Sequence, residues 1–268
     1  MVVNALFVRD GDWFNPTPYT TGPWRPDAMN GGPPSSLISL GVHEALQAGE
    51  QVARIGVDLE RPVPLAPLQV HTSRRQVSRR VAHLSIELRT DTQVVASGRA
   101  LLLQGSGPVP LIDRELPQAP PLPDSAIEPD EPDRWAEQPY QFHRDAIEVR
   151  FTTGNWGIPG SATAWIRLLV PLIAGEQTPD LCQLMAIADL ASPLSQAIAP
   201  EANVAMINVD INATLAGSPQ GPWFCIATQG TVSPFGIGLS NTQLFDRNGP
   251  LGVITVSQIA NGPAPGRA

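Results

Sequence analysis

The stretch LCQLMAIADLASPL (Leu181–Leu194) places a single acid in an otherwise largely apolar run. At helical spacing its apolar residues cover every direction around the axis, which is typical of a helix surrounded by protein. A carboxylate in that setting must be paired, hydrogen-bonded or neutralised, because burying a bare charge is costly. The stretch therefore predicts a buried helix and makes Asp189 a candidate functional residue.

The composition excludes several classes of function. The 268 residues are 42% hydrophobic, which is enough for one large domain or two small ones. A net charge of -8 argues against sequence-independent binding of nucleic acid. All 17 basic residues are arginines, so lysine Schiff-base chemistry and a P-loop lysine are excluded.

Cysteine usage and the terminal sequence indicate a cytoplasmic protein. Cys182 and Cys225 are far apart in the sequence and form no CxxC pair, so we expect reduced, buried thiols and no metal site. The N-terminus lacks the features of a signal peptide, and no apolar run is long enough to span a bilayer.

Two short segments repeat at an offset of 152 residues, IGVDL (55–59) and INVDI (207–211). Each follows an apolar helix candidate, over 30–46 and 181–199. Each also precedes three strand-like runs, which are LQVHTSRRQV, VAHLSIELRT and VVASGRALLLQ in the first half and WFCIATQGTV, IGLSNTQLFD and LGVITVSQIA in the second. The shared order of elements indicates a duplication.

A stretch rich in proline and acids separates the two halves and has no periodicity. A semi-extended, solvated crossover is the expected structure, in preference to a functional linker. We therefore predict an N-terminal half over residues 1–104, a linker over 105–136 and a C-terminal half over 137–268.

Each half predicts an opening strand, a long central helix and about four antiparallel strands wrapped around that helix. This α+β plan resembles the hotdog fold, and its tandem duplication resembles the double-hotdog acyl-CoA thioesterases. The motifs that carry the resemblance are WRPDAMNGGPPSSLISL in the first half and AIADLASPL, INVDINATL and GVITVSQ in the second. The resemblance covers most of the chain.

The resemblance implies an active site in the second half, where type II acyl-CoA thioesterases hold the attacking water with an Asp, a Thr and a Gln. Asp189 in AIAD matches the Asp, and Gln258 in TVSQ matches the Gln. The Thr position falls on Asn208, whose amide can orient a water but cannot relay a proton as a hydroxyl can. A second departure follows that strand, where LAGSP (215–219) replaces the family's aromatic and His-Arg-Pro run.

The alternation of side chains along a strand predicts an inward-facing Gln258 more directly than an inward-facing Asn208. Gln258 extends an apolar, inward-facing stripe formed by Ile254 and Val256. Asn208, in contrast, falls on a polar face together with Asp210, Asn212 and Thr214. Either a bulge turns Asn208 inward, or that face borders the cleft between the halves.

Pro193 predicts that the helix bends or ends just past Asp189. A proline within a helix clashes with the carbonyl group four residues earlier, which here belongs to Asp189. Such an interruption opens space beside the acid for water or a ligand. The structural alternative is that Asp189 caps a helix that restarts at Leu190.

Asn30, Gly31, Gly32 and two prolines precede the first helix, with Asn30 as the expected cap. Free N–H groups at a helix start can stabilise an oxyanion, and the resemblance implies that this region polarises the thioester carbonyl. We therefore expect substrate binding at Gly31 and Gly32. A tight turn into the helix is the structural alternative, because it needs the same glycines.

An arginine cluster in the first half is open to two interpretations. The arginines can bind the phosphates of coenzyme A, or they can form a solvated surface of a strand. Solvated surface arginines are the commoner arrangement. The cluster consists of Arg74, Arg75, Arg79 and Arg80.

The leading hypothesis is hydrolysis of a fatty acyl-CoA thioester to free acid and CoA, with no metal and no cofactor. Asp189 would activate or orient the water, held by Gln258 and Asn208. No histidine flanks Asp189, which argues against a dehydratase. The alternative is a non-catalytic acyl-binding protein. We expect one composite site per chain, in a homodimer.

Overall fold

Antiparallel strands dominate the structure, a computed structural model that describes residues 3–23, 25–110, 112, 115–125, 140–199, 202 and 204–262. Within these residues, eleven strands form one sheet and two further strands form a separate hairpin. All paired strands are antiparallel. The antiparallel sheet predicted from the sequence is confirmed.

The first half of the chain supplies the hairpin, one helix and four strands of the sheet. The hairpin comprises β1 (Phe7–Asp10) and β2 (Trp13–Pro16), and the helix is α1 (Gly32–Glu44). The four strands are β3 (Glu50–Asp58), β4 (Gln69–Ser78), β5 (Val81–Arg89) and β6 (Val94–Gln104).

The second half supplies the other seven strands and a second helix, α2 (Asp180–Ala188). Its strands are β7 (Ile147–Thr153), β8 (Ala162–Leu168), β9 (Ala205–Asn208), β10 (Asp210–Leu215), β11 (Phe224–Val232), β12 (Ile237–Asp246) and β13 (Gly249–Asn261). Each strand-like run found in the sequence therefore corresponds to a strand of the structure.

The two halves meet at the middle of the sheet. The strand order is β4-β5-β6-β3-β10-β13-β12-β11-β8-β7, with β9 also paired to β13. Strands β3 and β10 join the halves, and Asp58 lies opposite Asp210 in their register. The two members of the sequence repeat are thus neighbours in the sheet.

Helices α1 and α2 pack against each other, and α1 also lies on strands β3 to β6. Between the helices, the Ser36 hydroxyl donates a hydrogen bond to the Cys182 carbonyl oxygen at 2.9 Å. Leu184, Met185 and Ile187 of α2 are fully buried. Each such side chain stabilises the fold by about 1.5–3 kcal/mol relative to an exposed position. The prediction of a buried apolar helix is confirmed.

The helix predicted over 181–199 is much shorter in the structure. Helix α2 ends at Ala188, and Asp189–Ala191 forms a single 3-10 turn. In an α-helix the Asp189 carbonyl would accept the N–H of residue 193, but that residue is proline and has none. The effect of Pro193 was predicted, and the helical extension to residue 199 was wrong.

A β-bulge interrupts the strand that the sequence suggested over 205–215. Asn208 in β9 lies opposite Gln258, but β10 pairs with β13 one residue out of step with this register. Val209 donates its N–H to the Ser257 carbonyl, and the Asp210 carboxylate accepts the Ser257 N–H, at 2.9 and 2.6 Å. Val209 and Asp210 thus both lie opposite Ser257, which is the arrangement of a bulge. The side chains of Asn208 and Asp210 therefore need not project to the same face of the sheet.

Part of the connector between the halves is docked on the sheet. The Trp165 indole donates a hydrogen bond to the Pro120 carbonyl at 2.9 Å, and the Arg150 guanidinium donates to the Pro123 carbonyl at 2.7 Å. Ala119 and Leu122 pack against a small cluster that contains Trp165. This part is therefore not a solvated crossover, and the predicted linker over 105–136 lies partly outside the described residues.

No helix within the described ranges is long and apolar enough to cross a bilayer. The prediction that the chain has no membrane-spanning helix agrees with this observation.

The contacts between the halves predict that residues 137–268 fail to fold when expressed alone. Without the first half, β10 loses its partner β3 and α2 loses its partner α1, which exposes a strand edge and an apolar helix surface. We expect insoluble protein, measured by fractionation beside the full-length chain. A soluble fragment with cooperative thermal unfolding would contradict the prediction.

Candidate active site

The candidate site lies where the C-terminal end of α2 meets the N-terminal end of α1, beside β9 and β13. Asp189 follows α2 directly, and its side chain is buried, with 6% of the residue exposed. Gly31 is the N-cap of α1. The two halves of the chain therefore both contribute to the surroundings of one buried carboxylate.

The Asn208 side chain hydrogen-bonds to two oxygen atoms of Asp189. Its Nδ2 donates to the Asp189 Oδ1 at 2.7 Å and to the Asp189 backbone carbonyl at 3.1 Å. Both atoms are acceptors, so only the nitrogen end of the Asn208 amide fits there. The carbonyl that loses its helical donor at Pro193 thus receives one from β9 instead.

The bulge explains how Asn208 reaches this position. Asn208 pairs directly with Gln258, and cross-strand partners project to the same face of a sheet. Gln258 is buried on the inner face with Ile254 and Val256, as the sequence predicted. Of the two alternatives left open for Asn208, the structure therefore has the bulge.

One atom of Asn208 is left without a partner among the described residues. Its Oδ1 is buried and accepts no hydrogen bond there, while its Nδ2 is fully used by Asp189. A buried carbonyl oxygen in this state is an acceptor available to a small donor such as water.

The glycines before α1 leave room for the Asp189 carboxylate. A Cβ atom at Gly31 would lie 2.4 Å from the Asp189 Oδ1, and one at Gly32 would lie 2.1 Å from the Ala186 carbonyl oxygen. Gly31 has an ordinary right-handed backbone, with φ of -68°. Close approach of the two helices, and not the tight turn considered above, is therefore what requires glycine here.

The N–H groups of both glycines face acceptors within the protein. The Gly32 N–H donates to the Asn30 Oδ1 at 2.9 Å, so Asn30 supports the helix start, although Gly31 and not the expected Asn30 is the N-cap. The Gly31 N–H and the Asn30 side chain both lie near the Asp189 carboxyl group and act to lower its pKa. Helix α1 thus directs its positive end at Asp189.

Burial raises the pKa of the Asp189 carboxyl group above its ordinary value. Hydrogen bonds from Asn208, from the Gly31 N–H and from Asn30 oppose this rise in pKa and favour the ionised form. The donors lie on β9 and before α1, so Asp189 is not a local cap of the turn that follows it. The arrangement holds a carboxylate of increased basicity in a fixed orientation.

Gln258 reaches the same turn through a serine that the sequence analysis missed. Its Nε2 donates to the Ser192 Oγ at 2.6 Å, and the Ser240 Oγ donates to its Oε1 at 3.4 Å. Ser192 stands three residues after Asp189, and Ser240 is buried on the inward face of β12 together with Thr242 and Leu244. A hydroxyl-bearing residue at each of these two positions was the feature of the sequence that could have identified Ser192 and Ser240 as partners of Gln258. Gln258 therefore lies beside Asp189 and Asn208, tied to the turn by Ser192.

One member of the arginine cluster has a structural role, and the other three are exposed. Arg74 forms a half-buried ion pair with Glu50 and donates to the Ala45 carbonyl at 3.1 Å, which is a structural role. Arg75, Arg79 and Arg80 are exposed.

Both cysteines are buried free thiols, as expected. Burial raises the pKa of the Cys182 thiol and of the Cys225 thiol to about 12. Neither is a reactive thiolate at neutral pH.

Family models match most of the chain. The acyl-CoA thioesterase N-terminal domain matches residues 20–103, and the acyl-CoA thioesterase C-terminal domain matches residues 120–260. The chain belongs to the acyl-CoA thioesterase family. It is therefore a thioester hydrolase, as the sequence motifs indicated. The second match includes Asp189, Asn208 and Gln258, and the first includes Gly31 and Gly32.

Solved structures with the hotdog fold are similar to this thioesterase over nearly its full length. A hotdog-fold protein from Alicyclobacillus acidocaldarius has a TM-score of 0.68 and 15% identity, with 97% of each chain covered. The acyl-CoA thioesterase II TesB2 of Mycobacterium marinum has a TM-score of 0.64 and 14% identity, covering 98% of this chain and 96% of that one. These likenesses confirm the hotdog fold. Among curated proteins, none matches the sequence significantly.

The space at Gly31 predicts that Gly31→Ala impairs the thioesterase. The new methyl group would displace the Asp189 carboxylate, so we expect a loss of about 1–3 kcal/mol in stability and a clear loss of thiol release from acyl-CoA. Gly105→Ala is the matched control, because a Cβ there meets nothing within 4 Å. Equal activity of the two variants would contradict the prediction.

Proposed function

We propose that this thioesterase hydrolyses a fatty acyl-CoA to the free acid and CoA by water attack assisted by Asp189. The observation that carries the proposal is the buried Asp189 carboxylate, which is held by Asn208 and lies near Gly31 of the first half, beside an Asn208 Oδ1 that has no partner among the described residues. A fixed base next to an available acceptor is suited to bind and deprotonate one water molecule.

The proposed architecture is a tandem of two hotdog units, each with a central helix, over residues 1–104 and 137–268 with the linker between them. Two observations support it. The strands β3-β6-β5-β4 are neighbours in the same order as β10-β13-β12-β11, and each set follows a helix in the chain. The hairpin strand β2 contacts β4 as β8 contacts β11, which extends the correspondence.

The first chemical step in this proposal is the activation of water. The Asp189 carboxylate accepts one proton of the water, and the Asn208 Oδ1 accepts a hydrogen bond from the other O–H. The raised pKa of Asp189 makes it a better base than an exposed carboxylate. Asn208 thus serves through its carbonyl oxygen, since its nitrogen is engaged by Asp189.

The second step is attack on the thioester carbonyl carbon, which places negative charge on its oxygen. Gln258 has two N–H groups on Nε2, and one donates to Ser192. The resemblance to the thioesterases placed Gln258 on the attacking water; we instead assign its other N–H to the developing oxyanion, where a preorganised donor is most effective. The tetrahedral intermediate then collapses, expelling the CoA thiolate, which takes the proton from Asp189.

Gly31 and Gly32 have a modified part in this proposal. The sequence predicted their N–H groups as oxyanion donors, but these groups hold Asp189 and Asn30. We propose that the Gly31 amide orients the base and that the absent side chains let the thioester approach. An oxyanion at the Gly31 amide would have to displace the Asp189 carboxylate, and one at the Gly32 amide would have to displace the Asn30 Oδ1.

The site is proposed to be composite and to occur once per chain. Asp189, Asn208 and Gln258 come from the second half, and Asn30 and Gly31 come from the first. At the position that corresponds to Asn208 the first half has Gly56, which has no side chain to hold a water. We also propose a homodimer, because the edge strands β4 and β7 would otherwise stay open.

Thiol release from a panel of short- to long-chain acyl-CoAs tests the proposed function. We expect steady release of CoA by the wild-type chain at micromolar concentrations. Family membership favours hydrolysis over the non-catalytic acyl-binding alternative. Binding of acyl-CoA without thiol release would overturn the proposal in favour of that alternative.

Asp189→Asn is expected to keep the fold and lower turnover by about 10²-fold or more, because the base is lost. Burial raises the pKa of Asp189 above its unfolded value, so ionisation destabilises the folded state as pH rises through the unfolded value. The variant should therefore be at least as stable as wild type at pH 7. This advantage should shrink as the pH falls towards about 4.

Thermal unfolding at both pH values and kcat in the thiol assay measure these effects of Asp189→Asn. Asp91→Asn is the control, since this acid is exposed on a loop. If Asp189→Asn matches wild type in turnover, Asp189 has a purely structural role.

Asn208→Ala is expected to lower turnover by about 10-fold or more and to destabilise the protein by about 1–3 kcal/mol. The buried carboxylate and carbonyl of Asp189 would lose their donor. Asn208→Thr restores a hydroxyl that can both donate and accept, so turnover should be preserved or increased.

Asn212→Ala is the matched control for these substitutions. This residue stands on β10, beyond the bulge, and its Nδ2 donates to the Asp210 carboxylate at 3.0 Å. The assays compare kcat and KM. Equal activity of the Ala, Thr and wild-type proteins at position 208 would place Asn208 outside the site.

A further inference from the structure

We propose that Ser192 is a positioning residue that aims the free N–H of Gln258 at the thioester oxygen. The inference rests on the proposed function, in which Gln258 stabilises the oxyanion. Its basis is the hydrogen bond from the Gln258 Nε2 to the Ser192 Oγ, at 2.6 Å between two buried side chains.

Ser192 connects Gln258 to the segment that carries the base. It directly follows the 3-10 turn Asp189–Ala191 and has helical backbone angles, so its position is fixed by the same turn as Asp189. Gln258, in contrast, comes from β13, 66 residues away in the sequence. The Ser192 hydroxyl thus links the Gln258 amide directly to the segment that carries the base, in addition to the link through Asn208.

The Ser192 hydroxyl fixes the position of the Gln258 amide. The Ser192 Oγ accepts from the nitrogen end of the amide at 2.6 Å, and the oxygen end lies 3.4 Å from the Ser240 Oγ. With one N–H of Nε2 bound to Ser192, the second N–H is left for the oxyanion. Removal of the Ser192 hydroxyl would free the Nε2 atom to move away from that position.

Two further serines lie near the oxygen end of the amide. The Ser240 and Ser195 hydroxyl oxygens lie 2.9 Å apart, and the Ser195 Oγ donates to the Ala191 carbonyl at 2.7 Å. Since Ser240 has a single O–H, it donates either to the Ser195 Oγ or to the Gln258 Oε1, which lies 3.4 Å away. The bond to Ser192, at 2.6 Å, is therefore the firmer of the two hydrogen bonds that hold the Gln258 amide.

The test measures kcat and KM for Ser192→Ala, Gln258→Ala and the double variant in the thiol-release assay. We expect Ser192→Ala to lower kcat about 10-fold with KM changed less than about 2-fold, because the orienting bond acts in the transition state. The double variant should be no slower than Gln258→Ala alone, since Ser192 acts through Gln258. Ser192→Thr keeps the acceptor and should recover kcat to within about 3-fold of wild type.

Thr242→Val is the matched control. The Thr242 hydroxyl is buried on the same strand as Ser240 and donates to the Thr228 Oγ1 at 2.8 Å. Among the described residues this hydroxyl makes no hydrogen bond to Gln258, so its removal tests the loss of a buried hydroxyl as such. We expect this variant to keep the wild-type kcat, with any loss seen in thermal unfolding only.

The outcomes separate this inference from the proposed function. A wild-type chain that releases no thiol overturns the function, whatever the variants do. Loss of kcat in Gln258→Ala without loss in Ser192→Ala overturns the role of Ser192 and leaves the function standing. Additive losses in the double variant, or an equal loss of kcat in Thr242→Val, likewise overturn it.

Discussion

One missing N–H group determines the geometry of this site. Because Pro193 cannot donate to the Asp189 carbonyl, helix α2 ends where its acid stands, and the carbonyl needs a donor from elsewhere. Asn208 provides it and uses the same nitrogen to hold the carboxylate. For Asn208 to face inward, β9 and β10 must be out of step, and this requires the bulge at Val209. The end of helix α2, the bulge and the orientation of the Asp189 carboxylate therefore depend on one another.

Close contact between the two helices is the second constraint. The start of α1 meets the end of α2 at distances that a Cβ atom at Gly31 or Gly32 would not permit. This contact brings a positive helix end to a buried carboxylate and offsets part of the cost of burying its charge. It also makes the site depend on both halves of the chain, since neither Asp189 nor the α1 N-terminus is complete without the other.

Elements that depend on local pattern could be predicted from the sequence, and elements that depend on distant contacts could not. The strands, the buried helix and the inward face of Gln258 follow from hydrophobic periodicity. The inward turn of Asn208 remained an open alternative, because a bulge is defined by the register against β13. The link from Ser192 to Gln258 joins residues 66 positions apart. The true partners of the Gly31 and Gly32 amides depended on how α1 meets α2, which a single chain pattern does not specify.

The docked part of the connector has a consequence for how this chain can vary. Its hydrogen bonds use backbone carbonyls, those of Pro120, Pro123 and Asp124, as acceptors for Trp165 and Arg150. Proline suits such a segment, because it offers a carbonyl and leaves no N–H to satisfy. Recognition by the main chain tolerates side-chain replacement, whereas the receiving residues on the sheet are restricted. Mutations should therefore accumulate in the docked part of the connector and not at Trp165 and Arg150, which bind it.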